Sequence, residues 1–168
     1  MIVGLVGEPG AGKTTIASYL QAKDVGICPI SISKLIPEDQ RTKVLADEAM
    51  VRRLVAHAIA QAKADGGVTF LIDAAPRTLG QVWWLYNLAH YSNTGLAFAF
   101  ILPEPRVVVK RLIERDREDE DTWVARARHY NQEMDMILQY APEHSMYVSS
   151  SDSKKNAESI YRDLTGRI

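Results

Sequence analysis

A nine-residue stretch at positions 7–15, Gly-Glu-Pro-Gly-Ala-Gly-Lys-Thr-Thr, constrains this chain more than any other part of it. It follows a short apolar run at 2–6 and precedes a helical pattern at 16–23. Its spacing, glycine, four residues and then Gly-Lys-Thr, matches the phosphate-binding loop pattern. Glycines let backbone N–H groups turn inward around phosphate oxygens, and the following helix adds unpaired N–H groups and a positive dipole end. The stretch therefore predicts a nucleotide phosphate site, the alternative being a glycine-rich β–α turn that binds nothing.

The loop pattern also predicts what its own residues do. The side chain of Lys13 is expected to reach the outer phosphates, and a hydroxyl from Thr14 or Thr15 to hold Mg²⁺. We therefore expect ATP and Mg²⁺ as ligands. The candidate nucleotide contacts within the loop are Gly7, Gly10, Ala11, Gly12, Lys13, Thr14 and Thr15.

Length and composition are those of an ordinary globular domain, with 168 residues, 46% of them apolar and 24% charged. The formal net charge of −1 gives no reason to expect a nucleic acid or a membrane surface as partner. The single cysteine, Cys28, cannot form an internal disulfide, which favours a reducing compartment. No leader pattern precedes the loop, and no apolar run approaches the roughly 18 residues of a membrane helix. We expect a cytoplasmic monomer.

Apolar runs and helical patterns alternate along the chain. Pro29 gives the second strand an edge position, and the polar segment 33–41 is predicted to be a loop or a frayed turn. The alternation predicts an α/β protein with the three-layer P-loop NTPase fold: a central parallel sheet of about five strands with helices on both faces. The predicted strands are 2–6, 27–32, 68–72, 96–102 and 146–148, and the predicted helices are 16–23, 44–64, 79–91, 105–115, 122–139 and 153–164.

A second group of polar residues follows the third strand. Asp73 lies at the carboxyl end of that strand and should open onto the same crevice as Gly7. A carboxylate there can hold Mg²⁺ through water, Arg77 can bind a second anion, and Gln81 can read the edge of a base. The alternative is an ion-paired Asp73 with a surface Arg77.

This stretch, Asp-Ala-Ala-Pro-Arg-Thr-Leu-Gly-Gln at 73–81, resembles the Asp-Gly-Phe-Pro-Arg-Thr…Gln signature of adenylate kinases and related nucleoside monophosphate kinases. The loop at 7–13 is similar to the same family's Gly-X-Pro-Gly-X-Gly-Lys. The resemblance extends from residue 2 to about residue 165. Its other matches are Asp47-Glu48, Arg111-Leu112-X-X-Arg115 and Arg126-X-X-X-Tyr130.

The resemblance implies transfer of the γ-phosphoryl of ATP to a nucleoside monophosphate, with AMP favoured. It implies that Arg77 binds the α-phosphate of the acceptor, that Gln81 binds its base, and that Arg111 faces the donor nucleotide. The arginines implied around the transferring phosphoryl are Arg115, Arg117 and Arg126. Two alternatives stay open: a P-loop kinase for another nucleotide or small-molecule acceptor, and a nucleotide-binding ATPase or switch.

Four departures from the family pattern shape the expectations. Pro37 stands where the family has an acceptor-site arginine, so Ser33 and Lys34 are the candidate acceptor contacts, with Lys34 or Arg41 as the replacement cation. The lid, about 115–122, is very short. Ala74-Ala75 replaces Gly-Phe, and Thr14 replaces the usual glycine. We expect one P-loop kinase domain over 1–168, with a small helical monophosphate-binding insertion at about 31–66.

Two helices carry expectations about which side chains are buried. In the helix at 105–115 the pattern places Val108, Leu112 and Ile113 inward and Lys110, Arg111 and Arg115 outward. Trp83 and Trp84 are consecutive in the helix at 79–91, so only one of them should join the core, and the other is left for a base or a contact patch.

Overall fold

The central element is a five-stranded, all-parallel sheet, which confirms the predicted α/β architecture. The computed structural model describes residues 1–37, 47–115 and 120–166. The proline-containing second strand lies at an edge, as expected. The strands are β1 (Ile2–Val6), β2 (Ile27–Ser31), β3 (Thr69–Asp73), β4 (Leu96–Ile101) and β5 (Met146–Val148). Their order in the sheet is β2-β3-β1-β4-β5.

Most helices lie where their patterns predicted. Asp47 and Thr78 cap the helices that begin at Glu48 and Leu79, and each side chain accepts a backbone N–H from the first turn. Asp152 caps the last helix in the same way. The segment 33–41, predicted to be a loop or a frayed turn, begins with the last three residues of a four-residue helix that starts at Ile32, and its residues beyond 37 lie outside the described part. The helices are α1 (Lys13–Lys23), α2 (Ile32–Leu35), α3 (Glu48–Ala64), α4 (Leu79–Tyr91), α5 (Pro105–Arg115), α6 (Glu120–Gln139) and α7 (Ser153–Thr165).

Two cores lie on opposite faces of the sheet because side chains alternate along each strand. On one face, Phe98 and Phe100 of β4 pack with residues of α3, α4 and α6. On the other face, β4 contributes Ala97, Ala99 and Ile101, and α1 and α7 pack there. The result is the three-layer arrangement that the sequence predicted.

The topology opens a crevice at the carboxyl edge of the sheet. The helix after β1 packs on one face of the sheet, and the helix after β3 packs on the other. In a parallel sheet, ligands bind where neighbouring connections separate in this way. In register, Asp73 of β3 lies beside Leu5 of β1 and Ser31 of β2. Three strand ends therefore meet at the mouth of this crevice.

The inward face of α5 differs from the prediction. Val108 is buried as expected, but Ile113 is 71% exposed. Arg111, predicted to point outward, turns towards the 7–12 loop instead. The predicted orientation was wrong because it was based on the positions of apolar residues alone. An arginine can also point inward when backbone carbonyl groups accept its hydrogen bonds.

The consecutive tryptophans separate as expected. Trp84 packs against the core, whereas Trp83 is 48% exposed and lies against Tyr86 and Tyr140, with ring centroids 5.9 and 5.2 Å away. Trp83 therefore belongs to an aromatic surface cluster of α4 and the end of α6. In the part of the chain that the structure describes, no helix is both long enough and apolar enough to cross a membrane.

Candidate active site

The 7–12 loop turns tightly between β1 and α1. Gly10 and Gly12 have φ values of 83° and 97°, in the left-handed region that favours glycine. A Cβ atom on Gly12 would lie 2.6 Å from the Ser153 hydroxyl, so this position also needs glycine for space. Helix α1 starts at Lys13, immediately after Gly12, rather than at residue 16. The first N–H groups of α1 therefore face the concave side of the loop, where they suit an anion.

Lys13 folds back over this loop. Its ammonium group donates to the carbonyl oxygens of Gly7, at 2.7 Å, and of Glu8, at 2.9 Å. These contacts hold the positive charge at the mouth of the loop. An incoming phosphate would find the cation already positioned rather than swinging in solvent.

Thr14 links the loop to the neighbouring strand. Its hydroxyl donates to a carboxylate oxygen of Asp73 at 2.6 Å, and Asp73 is only 6% exposed. Both candidate threonines are exposed, and Thr14 is the one that is hydrogen-bonded to Asp73. A hydroxyl and a carboxylate in contact form an oxygen-only donor set of the kind that Mg²⁺ prefers. These residues fit the predicted metal.

Arg111 joins the loop to the segment after β5. One guanidinium nitrogen donates to the carbonyl oxygens of Gly10 and Ala11, at 3.3 and 3.0 Å. The other donates to the carbonyl oxygen of Ser151 at 2.6 Å and to the Ser153 hydroxyl at 3.4 Å. We call this set the arginine bridge. It places Arg111 on the donor side of the site, but bound to backbone rather than free.

The segment after β3 is fixed by its own hydrogen bonds. The side chain of Arg77 donates through Nε to the carbonyl oxygen of Ala74 at 2.9 Å. The backbone N–H of Arg77 donates to the side-chain oxygen of Gln81 at 2.8 Å, and Gln81 is 6% exposed. Gln81 therefore spends its acceptor on Arg77 and holds the turn that carries the arginine.

This turn also packs closely on the sheet. Gly4, in the middle of β1, lies beneath it, and a Cβ atom on Gly4 would be 2.6 Å from the carbonyl oxygen of Ala75 and 3.0 Å from Cδ of Pro76. Ala75 is fully buried. The absence of a side chain at Gly4 thus lets the Asp73–Arg77 region lie directly over β1, beside the phosphate loop.

Two glutamates hold the start of α4 from the outside. Glu48, in the first turn of α3, accepts from the Thr78 hydroxyl at 2.9 Å and pairs with Arg52 at 3.1 Å. Glu133 of α6 accepts the backbone N–H of Leu79 at 3.2 Å. Both α3 and α6 are thereby tied to the turn that carries Arg77.

Burial shifts two ionisable groups beside the loop. Burial raises the pKa of Glu8, and the nearby Lys13 charge partly offsets that rise. Burial also raises the pKa of Tyr130 on α6, and the negative charge of Glu8 adds to the effect. The Tyr130 hydroxyl is buried and has no hydrogen-bond partner among the residues that the structure describes. Helix α6 therefore reaches the phosphate loop as well as the start of α4.

The remaining predicted residues stand apart from this geometry. Ser33 and Lys34 are exposed on α2, directly after the strand end at Ser31. Arg41 and Arg117 lie outside the described residues. Arg115 and Arg126 are described only as helical positions of α5 and α6, which leaves their predicted roles as predictions.

The chain is similar to several known proteins over most of its length. A family model described as an AAA domain matches residues 6–126. The adenylate kinase of Micrococcus luteus is 32% identical over 156 residues, which cover 80% of this chain and 75% of that protein. The adenylate kinase of Salinibacter ruber is 32% identical over 132 residues, covering 70% and 60%. That of Thermotoga neapolitana is 30% identical over 126 residues, covering 66% and 56%.

This chain belongs to the adenylate kinase family. Membership confirms the predicted enzyme class, since it makes the chain a nucleoside monophosphate kinase and therefore a phosphotransferase. It also agrees with the fold, in which the loop and the 73–81 segment of the family signature lie on adjacent strands.

Sequence reasoning missed three groups of this adenylate kinase-like site. Ser151 and Ser153, which receive Arg111, lie in a serine cluster at 149–153 that indicated only a loop. Glu133 lies in a charged helix with no feature that marks it out. The Glu48–Thr78 contact joins two matched motifs, so the family signature names both residues but does not place them together.

Proposed function

We propose that the enzyme transfers the γ-phosphoryl group of ATP to AMP and so produces two molecules of ADP. One observation carries the proposal: the hydrogen bond between Thr14 and Asp73, 2.6 Å long, which brings the donor loop and the Arg77 segment to one crevice. A second anion site is what distinguishes a transferase from an ATPase, because phosphoryl transfer requires two aligned substrates. The choice of AMP rests on the relatives, which are adenylate kinases.

On the donor side, the loop N–H groups and the Lys13 ammonium would bind the β- and γ-phosphates of ATP. Thr14 and Asp73 would hold Mg²⁺, directly and through water, with Thr15 as the second candidate hydroxyl. Mg²⁺ supplies charge neutralisation between phosphate oxygens when it is bound. The arginine bridge would hold the carbonyl groups of Gly10 and Ala11 away from the phosphates, because both accept hydrogen bonds from the Arg111 guanidinium.

On the acceptor side, Arg77 would bind the α-phosphate of AMP. Its Nε donates to the carbonyl oxygen of Ala74, and a guanidinium carries five N–H donors in a planar fork, a geometry that suits a phosphate. Gln81 would meet the base with its amide N–H groups, since its oxygen is engaged with the Arg77 backbone. A donor from Gln81 suits a ring nitrogen or a carbonyl of the base. Ser33 and Lys34, at the same sheet edge, would complete this side.

Three arginines at and beyond the end of α5 complete the proposal. Arg115, Arg117 and Arg126 would surround the transferring phosphoryl group and balance its charge. The residues at about 31–66 would act as a small monophosphate-binding insertion and those at about 115–122 as a short lid, within a single domain. We further propose that the enzyme works as a monomer.

A product assay tests this function. The protein is incubated with Mg·ATP and, separately, with AMP, CMP, UMP, GMP, dTMP or no acceptor, and the nucleotides are separated by chromatography. We expect ADP to form only with AMP, two molecules for each AMP consumed. ADP and free phosphate forming equally in every tube would refute the transferase and favour an ATPase or switch. A diphosphate of another base would correct the acceptor.

The Arg77 assignment is tested in the same assay. Arg77→Ala should raise the KM for AMP by about a hundredfold, because one charge-assisted, bidentate phosphate contact is lost, and leave the KM for ATP within about twofold. The matched control is Arg162→Ala, which removes an exposed arginine on α7, outside the proposed acceptor side. An equal loss for both substrates would show that Arg77 supports the fold rather than the acceptor.

A further inference from the structure

Helix α6 touches both halves of the site, and one of its contacts has no counterpart in the family motifs that the chain matches. Glu133 accepts the backbone N–H of Leu79, the first residue of α4, at 3.2 Å. That N–H is one of the groups that a helix start leaves without an intrahelical partner. Position 133 lies beyond the Arg126–Tyr130 pattern, so the resemblance assigns it nothing.

The contact lies two residues from Arg77. Thr78 lies between Arg77 and Leu79. Its hydroxyl oxygen caps α4 by accepting the Gln81 N–H at 3.2 Å, and the same hydroxyl donates a hydrogen bond to Glu48. Gln81 in turn accepts the Arg77 N–H. The backbone of Arg77 is therefore held by a short chain of hydrogen bonds whose outer ends are two carboxylates, Glu48 on α3 and Glu133 on α6.

A carboxylate suits this place for two reasons. It accepts a hydrogen bond from an N–H group that is otherwise without a partner, and its negative charge lies at the positive end of the α4 dipole. Glu133 is half-buried, which strengthens both effects relative to an exposed group. The same face of α6 carries Tyr130, one turn earlier, whose hydroxyl is influenced by the charge of Glu8 in the phosphate loop.

We propose that Glu133 is a positioning residue for the acceptor: it fixes the first turn of α4, and through it the Arg77 guanidinium, relative to the phosphate loop. This inference rests on the proposed function, in which Arg77 binds the acceptor phosphate. Glu133 itself touches neither substrate. It acts through the backbone of residues 77–79, and Glu48 supports the same turn from α3.

The kinetic test uses the full-length enzyme and three variants. Glu133→Ala removes the acceptor of the Leu79 N–H, Glu133→Gln keeps a side-chain oxygen that can accept it, and Asp135→Ala removes an exposed carboxylate from the same helix. For Glu133→Ala we expect the KM for AMP to rise about tenfold, with the KM for ATP changed less than about twofold. Glu133→Gln should recover most of the loss, and Asp135→Ala should match the wild type.

A second readout does not depend on catalysis. Amide hydrogen exchange over residues 77–82 should speed up in Glu133→Ala and stay near the wild-type rate in Glu133→Gln and Asp135→Ala. Unchanged exchange in Glu133→Ala, or an equal rise in both KM values, would overturn the positioning role. If the wild type forms no diphosphate while the exchange pattern appears as expected, the proposed function fails and the role of Glu133 in fixing the turn stands.

Discussion

Replacing Arg111 by alanine tests the arginine bridge most directly. The guanidinium makes four contacts, of which those to the carbonyl oxygens of Ala11, at 3.0 Å, and Ser151, at 2.6 Å, are the shortest. A hydrogen bond to a charged group is worth about 1.5–3 kcal/mol, but the side chain is half-exposed and the carbonyls can regain water. We therefore expect Arg111→Ala to lower the free energy of unfolding by about 2 kcal/mol.

For a chain of this length, that loss corresponds to a Tm lower by about 4–8 °C in a thermal melt. The loop is also freed on its outer side, so the KM for ATP should rise more than the KM for AMP. Arg111→Lys should recover only part of both losses, because a single ammonium group cannot span the two segments as a planar guanidinium does.

The matched control is Lys110→Ala on the same helix. Lys110 is exposed and pairs with Glu114 at 3.8 Å, a contact expected to contribute less than about 0.5 kcal/mol. The reasoning is refuted if Arg111→Ala melts with the control, or if Arg111→Lys equals the wild type in both Tm and KM for ATP.

Three further predictions concern other parts of the site. Thr14→Val, which removes the hydroxyl but keeps the shape, should lower kcat at least about a hundredfold by disturbing the oxygen pair with Asp73. Gly4→Ala should lower the free energy of unfolding by about 2 kcal/mol in denaturant titration, because its Cβ would lie 2.6 Å from the Ala75 carbonyl oxygen. Glu8→Gln should raise the Tm at pH 7, and the gain should shrink as the pH falls towards 4.5, because burial raises the pKa of Glu8 and the ionised form is the destabilised one.

Each of these has a control and a contrary result. Thr14→Ser keeps the hydroxyl and should stay active, and equal activity of the valine variant would remove Thr14 from the metal site. Gly95→Ala is the steric control, since its Cβ would meet only Met1, at 3.8 Å, and should be tolerated. A Tm difference for Glu8→Gln that grows as the pH falls would reverse the predicted sign, because the folded state would then bind the proton of Glu8 less tightly than the unfolded chain.

The sheet could be predicted from the sequence because each strand is a short apolar run, and such a run favours a buried strand over a surface helix or a loop. The edge position of β2 followed from one residue, Pro29, which has no N–H for a second neighbour. The phosphate loop followed from its glycine spacing. These features are local, so the order of residues contains them completely.

The parts that could not be predicted depend on contacts between distant segments. Arg111 looked like a solvent-facing cation because its partners are backbone carbonyls about a hundred positions away, and backbone is the same in every sequence. The choice between Thr14 and Thr15 depended on where α1 begins and on which way its first side chains point. Consecutive side chains lie about 100° apart around a helix, so only one of the two threonines faces Asp73. Glu133 could not be singled out, since nothing in a charged helix marks the carboxylate that meets a helix start.

The arginine bridge also has a consequence for how the chain is made. The carbonyl of Ser151 and the hydroxyl of Ser153 lie about 140 positions after the loop that they support, so they are synthesised well after it. Helix α7, which begins at Ser153, packs against α1 with Ala157, Ile160 and Leu164. A nascent chain synthesised only as far as residue 150 contains the entire loop sequence without this support, so we expect it to bind ATP less tightly than a chain that includes Ser151 and Ser153.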